Sequence, residues 1–303
     1  MSQPRFIKKI ILGIMLIVGI MTCTAAQAAT PAVKWFAPYY NHQVALDLPV
    51  EDAVYTSFDL SSQVTGNYTA MLVKITKGSD STYYYFPVKD THSNGTVYLR
   101  YGAGAYRIDV NMIKPTQDRT KLSFDAVATF EMTNLSDQDG RYLLPSWGVE
   151  SDNQLITNTA NTITKNAKND LEKVQAIHDW VAKNIAYDVD KYRAGEIYEI
   201  QGALTTLINK KGLCRDYSDL TTALCRSIGI DAKTVIGQAG TTSAKYGHAW
   251  NEVKVNGSWI SMDLTWDAGV IVNDKYIPKF SRQYFNMNAV AFGASHQKSG
   301  ESW

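Results

Sequence analysis

The 303 residues are 45% hydrophobic and 19% charged, which excludes a disordered or fibrous chain and leaves room for two domains. With 30 Lys and Arg against 29 Asp and Glu, there is no strong field to draw in nucleic acid. Three cysteines exclude a disulfide scaffold or a cysteine-rich zinc module, whereas tyrosine is unusually common at 18.

Arg5, Lys8 and Lys9 precede an unbroken apolar run from Ile10 to Met21, then small residues ending in Ala26-Gln27-Ala28. A basic start, an apolar stretch and a small-residue exit predict a secretory signal peptide over residues 1–28. Cleavage leaves 303 − 28 = 275 residues and 27 basic against 29 acidic side chains, a net charge of −2. The expected location is secreted or extracellular, the cell wall included, and any membrane contact is through this segment if it stays uncleaved. Cys23 leaves with the signal, since Thr22 before it is not the Gly or Ala that lipid-anchor sites use.

Residues 29–140 read as strands. Val54 to Phe58, Tyr68 to Thr76, Tyr83 to Val88, Thr96 to Tyr101, Ala105 to Met112 and Leu122 to Met132 are rich in β-branched and aromatic residues. Glycine-containing turns separate them, Ser93-Asn94-Gly95 being read as a hairpin. The spacing predicts a β-rich accessory domain, an immunoglobulin-like sandwich. Its tyrosines are expected to pack the sheets, with a glycan- or peptide-binding face as the other use.

Residues 141–168, with Pro145 and Gly148, read as a linker, and residues 169–303 as an α+β catalytic domain. Leu171, Val174, Ile177, Val181 and Ile185 predict a helix over 169–184. A second helix is predicted over 214–228 and stopped by Gly229; strands follow over 233–237, 248–255, 258–263 and 276–280. The tail from Phe280 to Trp303, with His296, is read as packing on the core.

Cys214 stands at the start of the second helix, directly after Gly212-Leu213. Helix N-termini favour thiolate over thiol, and their free N–H groups can bind an oxyanion. Cys225 lies eleven residues on, about 16 Å along one helix, too far for a disulfide, and reads as a core residue. Asn256-Gly257 predicts a hairpin that pairs Val255 with Ser258, Glu252 with Ser261, Asn251 with Met262 and Trp250 with Asp263. Asp263 then lies diagonal to His248, close enough to orient its ring. Thiol, imidazole and acid are the parts of a nucleophile–base–orienter triad. A zinc site would need a further ligand at metal spacing, and His178 reads as a packed or solvent-edge residue, so no metal and no cofactor are expected.

Gly212-Leu213-Cys214-Arg215-Asp216-Tyr217, Gly247 to Val253 and Trp259 to Trp266 together resemble the transglutaminase-like superfamily, with Ile185-Ala186-Tyr187-Asp188 as a fourth, upstream motif. The resemblance spans about Asp170 to Trp266 and implies a papain-like α+β core with Cys214 as nucleophile, His248 as base and Asp263 as orienting acid. The Cys214 main-chain N–H is a candidate oxyanion donor; Tyr187, the preferred choice, or Gln201 would supply the other. The implied function is secreted, thiol-dependent acyl transfer on protein or peptide amides, by crosslinking or deamidation. A cysteine protease or amidase would use the same triad, and a non-catalytic surface- or wall-binding protein would not need it. Without an EF-hand loop, calcium dependence is not expected.

Overall fold

The computed structural model describes residues 35–38, 43–117, 121–196, 200–241 and 243–302. The signal segment and Cys23 lie outside the described residues.

The first half is two sheets that share one core. Strands β1 (Trp35–Pro38), β2 (Val44–Asp47), β3 (Ala53–Val54), β4 (Ser57–Val64), β5 (Ala70–Lys77), β6 (Asp80–Pro87), β7 (His92–Tyr98), β8 (Gly104–Lys114) and β9 (Ser123–Asn134) come in sequence. One sheet runs β1-β9-β8-β5-β6, with β3 beside β9; the other runs β2-β4-β7. Phe58 and Leu60 of β4 meet Val73 and Ile75 of β5, Ile108 and Val110 of β8 and Phe130 of β9 between the sheets. Alternation on β4 (Phe58, Leu60 and Val64 inward) is what a strand with one wet face requires. Strand β5 is apolar on both faces because Ala70 and Leu72 pack outward against Ile113, Tyr85 and Trp147. Tyr68, Tyr84, Tyr101 and Tyr106 are buried, as packing residues are.

One turn expectation fails instructively. Ser93-Asn94-Gly95 is not a turn but lies within β7, where Ser93, Asn94 and Gly95 pair with Ser62, Ser61 and Leu60. The chain reverses earlier, at Asp90 and Thr91 (φ 47° and 65°). Gly95 is present for a different reason: a Cβ there would stand 2.1 Å from the Phe86 ring.

The second half comprises α1 (Gln154–Thr164), α2 (Asp170–Asn184), β10 (Ala186–Tyr187), α3 (Val189–Arg193), α4 (Ala203–Asn209), β11 (Lys211–Gly212), α5 (Cys214–Arg226), β12 (Ala232–Gly240), β13 (Lys245–Val255), β14 (Ser258–Met262), α6 (Leu264–Ala268), β15 (Gly269–Val272), β16 (Lys275–Pro278), α7 (Ala289–Ser295) and β17 (His296–Ser302). Helix α1 stands where the linker over 141–168 was expected. Its Thr- and Asn-rich sequence has weak helix propensity, yet Ile156, Ala160 and Thr164 fall on one face and are buried. Helix α2 starts where its cap allows: Asn169 Oδ1 accepts from Glu172 N at 2.9 Å, and Glu172 accepts in return from Lys168 N at 2.8 Å.

Helices α1, α2, α4 and α5 pack their apolar faces on a sheet of order β14-β13-β12-β17. All of its pairings are antiparallel. The β13–β14 hairpin turns at Asn256-Gly257, both at positive φ (51° and 80°), with Val255 opposite Ser258 as predicted. Among the described residues no helix is long and apolar enough to cross a membrane.

Candidate active site

Helix α5 is buried along almost its whole length despite its polar sequence, because its polar side chains find partners. Asp219 accepts from Thr234 Oγ1 at 2.7 Å and Arg215 Nε at 2.9 Å. Asn251 of β13 donates to Ser218 O and Thr222 Oγ1, each at 2.9 Å. This fixes the helix lengthwise against the strand that carries His248. At its start, Asp216 accepts from Leu213 N at 2.8 Å and from Lys191 Nζ at 3.0 Å. A Cβ on Gly212 would meet the Asp216 Cβ at 2.5 Å, so this approach to the helix needs glycine.

Cys214 is the first residue of α5, where backbone N–H groups have no intrahelical acceptor. It is partly exposed and unpaired, as sequence reasoning expected; Cys225 is buried, and burial pushes its thiol up to about 12. The Cys214 thiol lies close enough to His248 to contribute to the raised pKa of that ring.

His248 Nε2 lies 2.7 Å from Asp263 Oδ2, and both side chains are buried. The contact arises differently from the sequence prediction. The β13–β14 ladder stops at Asn251 opposite Met262, so Asp263 does not pair with Trp250. Asp263 instead caps α6: its Oδ1 accepts from Thr265 N at 3.0 Å and Trp266 N at 3.1 Å. A capping acid turns the chain, which brings the other oxygen to His248. Burial opposes charge on the His248 ring, but the charge and hydrogen bond of Asp263, then those of Cys214, outweigh it and raise the ring to about 10. Burial likewise penalises the Asp263 carboxylate, yet His248 and His296 hold it far below the usual range.

His296 was missed as a site residue. Its Nε2 lies 3.1 Å from the same Asp263 Oδ2, Ser295 Oγ lies 2.9 Å from its Nδ1, and its ring stacks on Phe292 at 3.9 Å. It opens β17, a polar strand with no β-branched residue; only pairing with β12 defines it. The tail does pack on the core, but nothing local marks the histidine as part of the site. His248, Asp263 and His296 carry ligand atoms within 4.8 Å of one another, a set that could hold a metal ion by composition. Both imidazole nitrogens here face the carboxylate oxygen directly.

The two proposed oxyanion donors are separated by the structure. Tyr187 pairs with Gly212 across β10 and β11, two residues before Cys214. Burial is the main cause of its raised hydroxyl pKa, with the Cys214 charge next. Gln201 gives both side-chain N–H groups away, to Lys211 O at 2.9 Å and Thr206 Oγ1 at 3.0 Å, and so clamps the segment leading to Cys214. His178 is not at the solvent edge: it is buried on α2, with Asp267 Oδ2 at 3.0 Å and Asp179 Oδ1 at 3.2 Å, and ties α2 to α6. Trp266, Trp250 and Tyr246 surround His248, with Tyr246 half exposed at the rim.

Residues 157–264 match the family model described as the transglutaminase-like superfamily. Mouse kyphoscoliosis peptidase is 29% identical over 163 residues, 50% of this chain and 24% of that protein. The human protein of that name is 29% identical over 153 residues, 46% of this chain and 23% of that protein. The chain thus spans about a quarter of the length of these curated relatives. A candidate cysteine protease from Cytophaga hutchinsonii overlays 88% of this chain and 79% of its own at 17% identity, with a TM-score of 0.39.

Proposed function

We propose that this chain, whose residues 157–264 match the family model described as the transglutaminase-like superfamily, is a secreted, thiol-dependent acyl-transfer enzyme acting on protein or peptide amides. The observation that most supports this is the setting of one ring: His248 meets Asp263 through Nε2 at 2.7 Å, and Cys214, at the start of α5, contributes to the raised pKa of the same ring. Cys214 thiolate attacks the amide carbonyl carbon, and a C–S bond forms. The carbonyl oxygen becomes an oxyanion, received by the Cys214 N–H and the Tyr187 hydroxyl. His248 gives its proton to the leaving nitrogen, the C–N bond breaks, and ammonia or an amine departs from the thioester. A second nucleophile, an amine or water, yields its proton to His248 as it displaces the thiol. Asp263 holds the ring and offsets its charge throughout.

An amine acceptor gives crosslinking, and water gives deamidation or proteolysis. The hydrolytic reading, as a cysteine peptidase, has its own support in the peptidase name of the curated relatives. Export rests on the basic–apolar–small pattern of residues 1–28.

The test is a thiol-alkylating probe applied across pH, with labelled sites read by mass spectrometry. Cys214 is expected to label at pH 6–7 in preference to Cys225, and to lose that preference in His248→Ala. Slow, equal labelling of both thiols, unchanged in His248→Ala, would sink the enzyme reading. Incorporation of a fluorescent amine into casein, set against peptide cleavage, then separates transfer from hydrolysis.

A further inference from the structure

Two arginines are buried where the sheet region meets the core. Arg100 follows β7, Arg226 ends α5, and they are 0% and 4% exposed. Both donate to one oxygen: Arg100 Nη2 and Arg226 Nη1 meet Leu144 O, the latter at 2.7 Å. Arg226 also donates from Nε to Ala232 O at 2.9 Å and from Nη1 to Ser146 Oγ at 3.4 Å.

Those bonds leave Nε and Nη1 of Arg100 and Nη2 of Arg226 with no acceptor. The nearby acids are engaged elsewhere: Asp219 with Arg215 and Thr234, Asp231 with Lys254. Burial and the Arg100 charge push the Arg226 guanidinium well below its ordinary range. Arginine does not give up its proton in proteins, so the strain is not relieved by neutralisation. Two cations sharing one carbonyl with three idle donors are costly unless a counter-charge joins them.

We propose that this pair is a binding site for a small monovalent anion of the halide class. A halide accepts N–H groups from any direction, which suits three donors carried by two separate guanidinium groups. Full burial leaves no path for an organic acid's carbon skeleton. The anion joins parts that the backbone already links here: Arg100 O accepts from Gly140 N at 2.9 Å, and Tyr142 O accepts from Ala232 N at 3.0 Å. Occupancy therefore fastens the sheet region to the last turn of the helix that begins with Cys214. The inference is independent of the catalytic reading.

The experiment is thermal unfolding of the purified protein at constant ionic strength, with sodium chloride or bromide replacing sodium gluconate. A ligand held only by the folded state raises the melting temperature with its concentration, here by about 5 °C or more at a hundredfold excess over its dissociation constant. Arg100→Met and Arg226→Met should lose that dependence. Because either variant could fail to fold, bromide is also located in crystals of the unmodified protein by anomalous scattering. A peak between the guanidinium groups supports the proposal. An ordered water in its place, or a melting temperature indifferent to halide, overturns it.

Discussion

Asp263 has room for about four hydrogen bonds, and four N–H groups take them: two imidazoles on Oδ2 and two backbone amides on Oδ1. The acid can neither rotate nor leave its plane without losing donors. His296→Phe keeps a ring against Phe292 but removes one donor. We expect Cys214 alkylation at neutral pH to slow about tenfold with little change in melting temperature, and His296→Gln, which restores an N–H, to recover part of it. An unchanged rate in the Phe variant would show that the contact does nothing for the thiol. The His248 ring, raised from 6.5 to about 10, also makes stability depend on pH. The folded state holds that proton more tightly than the unfolded chain does. Its contribution is therefore complete below pH 6.5 and is lost as pH rises towards 10. Denaturant titrations should show a decline on the order of 5 kcal/mol across that window, flattened in His248→Gln. Cys214, His248 and Asp263 were legible from residue type and a helix start, although the register that paired Asp263 with Trp250 did not form. His296 and Asn251 were not, because each acts through a partner distant in sequence that only the fold supplies. Gln201 was misread because its two acceptors cannot be seen from its neighbours in the chain.

At the scale of elements, the site depends on an unpromising strand. Strand β17 must pair with β12 for His296 to reach Asp263, and at Gly237, beside an irregularity in that pairing, there is no room for a side chain. A Cβ there would stand 2.2 Å from Gln297 O and 2.6 Å from Trp250 Cη2. Backbone cannot swing aside as a side chain can, so Gly237→Ala should push β17 outward. We expect about 1–3 kcal/mol of lost stability in chemical denaturation, with a slower Cys214 labelling rate. Full stability in that variant would mean that the strand pair tolerates the methyl and that β17 is less firmly seated than its pairing implies. The same contrast explains what could be read in advance. Helices α2 and α5 and the β13–β14 hairpin announce themselves through periodicity, caps and Asn-Gly. Helix α1 and strand β17 are polar segments held by tertiary contacts, and the glycine of Ser93-Asn94-Gly95 serves an aromatic ring rather than a bend.

For the molecule as a whole, the sheet region and the core are joined by more than a covalent connection. Tyr98 Oη donates to Asp152 at 2.9 Å, Trp147 stacks on Tyr85 at 5.2 Å, and Tyr142 Oη donates to Glu301 at 3.1 Å. The segment expected to be a linker is therefore structural, and elements with shared buried contacts unfold together. Calorimetry should show one transition with equal calorimetric and van't Hoff enthalpies; two resolved peaks would mean that the halves are energetically separate. The broad division into a strand-rich half and an α+β half was legible from the change of hydrophobic period. The seam was not, because Arg100, Leu144 and Arg226 are 44 and 82 residues apart and reveal their relation only when folded.

The order of the site residues along the chain carries one last consequence. Cys214 is translated first; His248 follows 248 − 214 = 34 residues later, Asp263 comes 263 − 214 = 49 later, and His296 comes 296 − 214 = 82 later. During synthesis the thiol therefore emerges before the imidazoles and the carboxylate that surround it in the folded structure. The set of contacts around the Cys214 thiol is completed only when the final described strand joins the sheet.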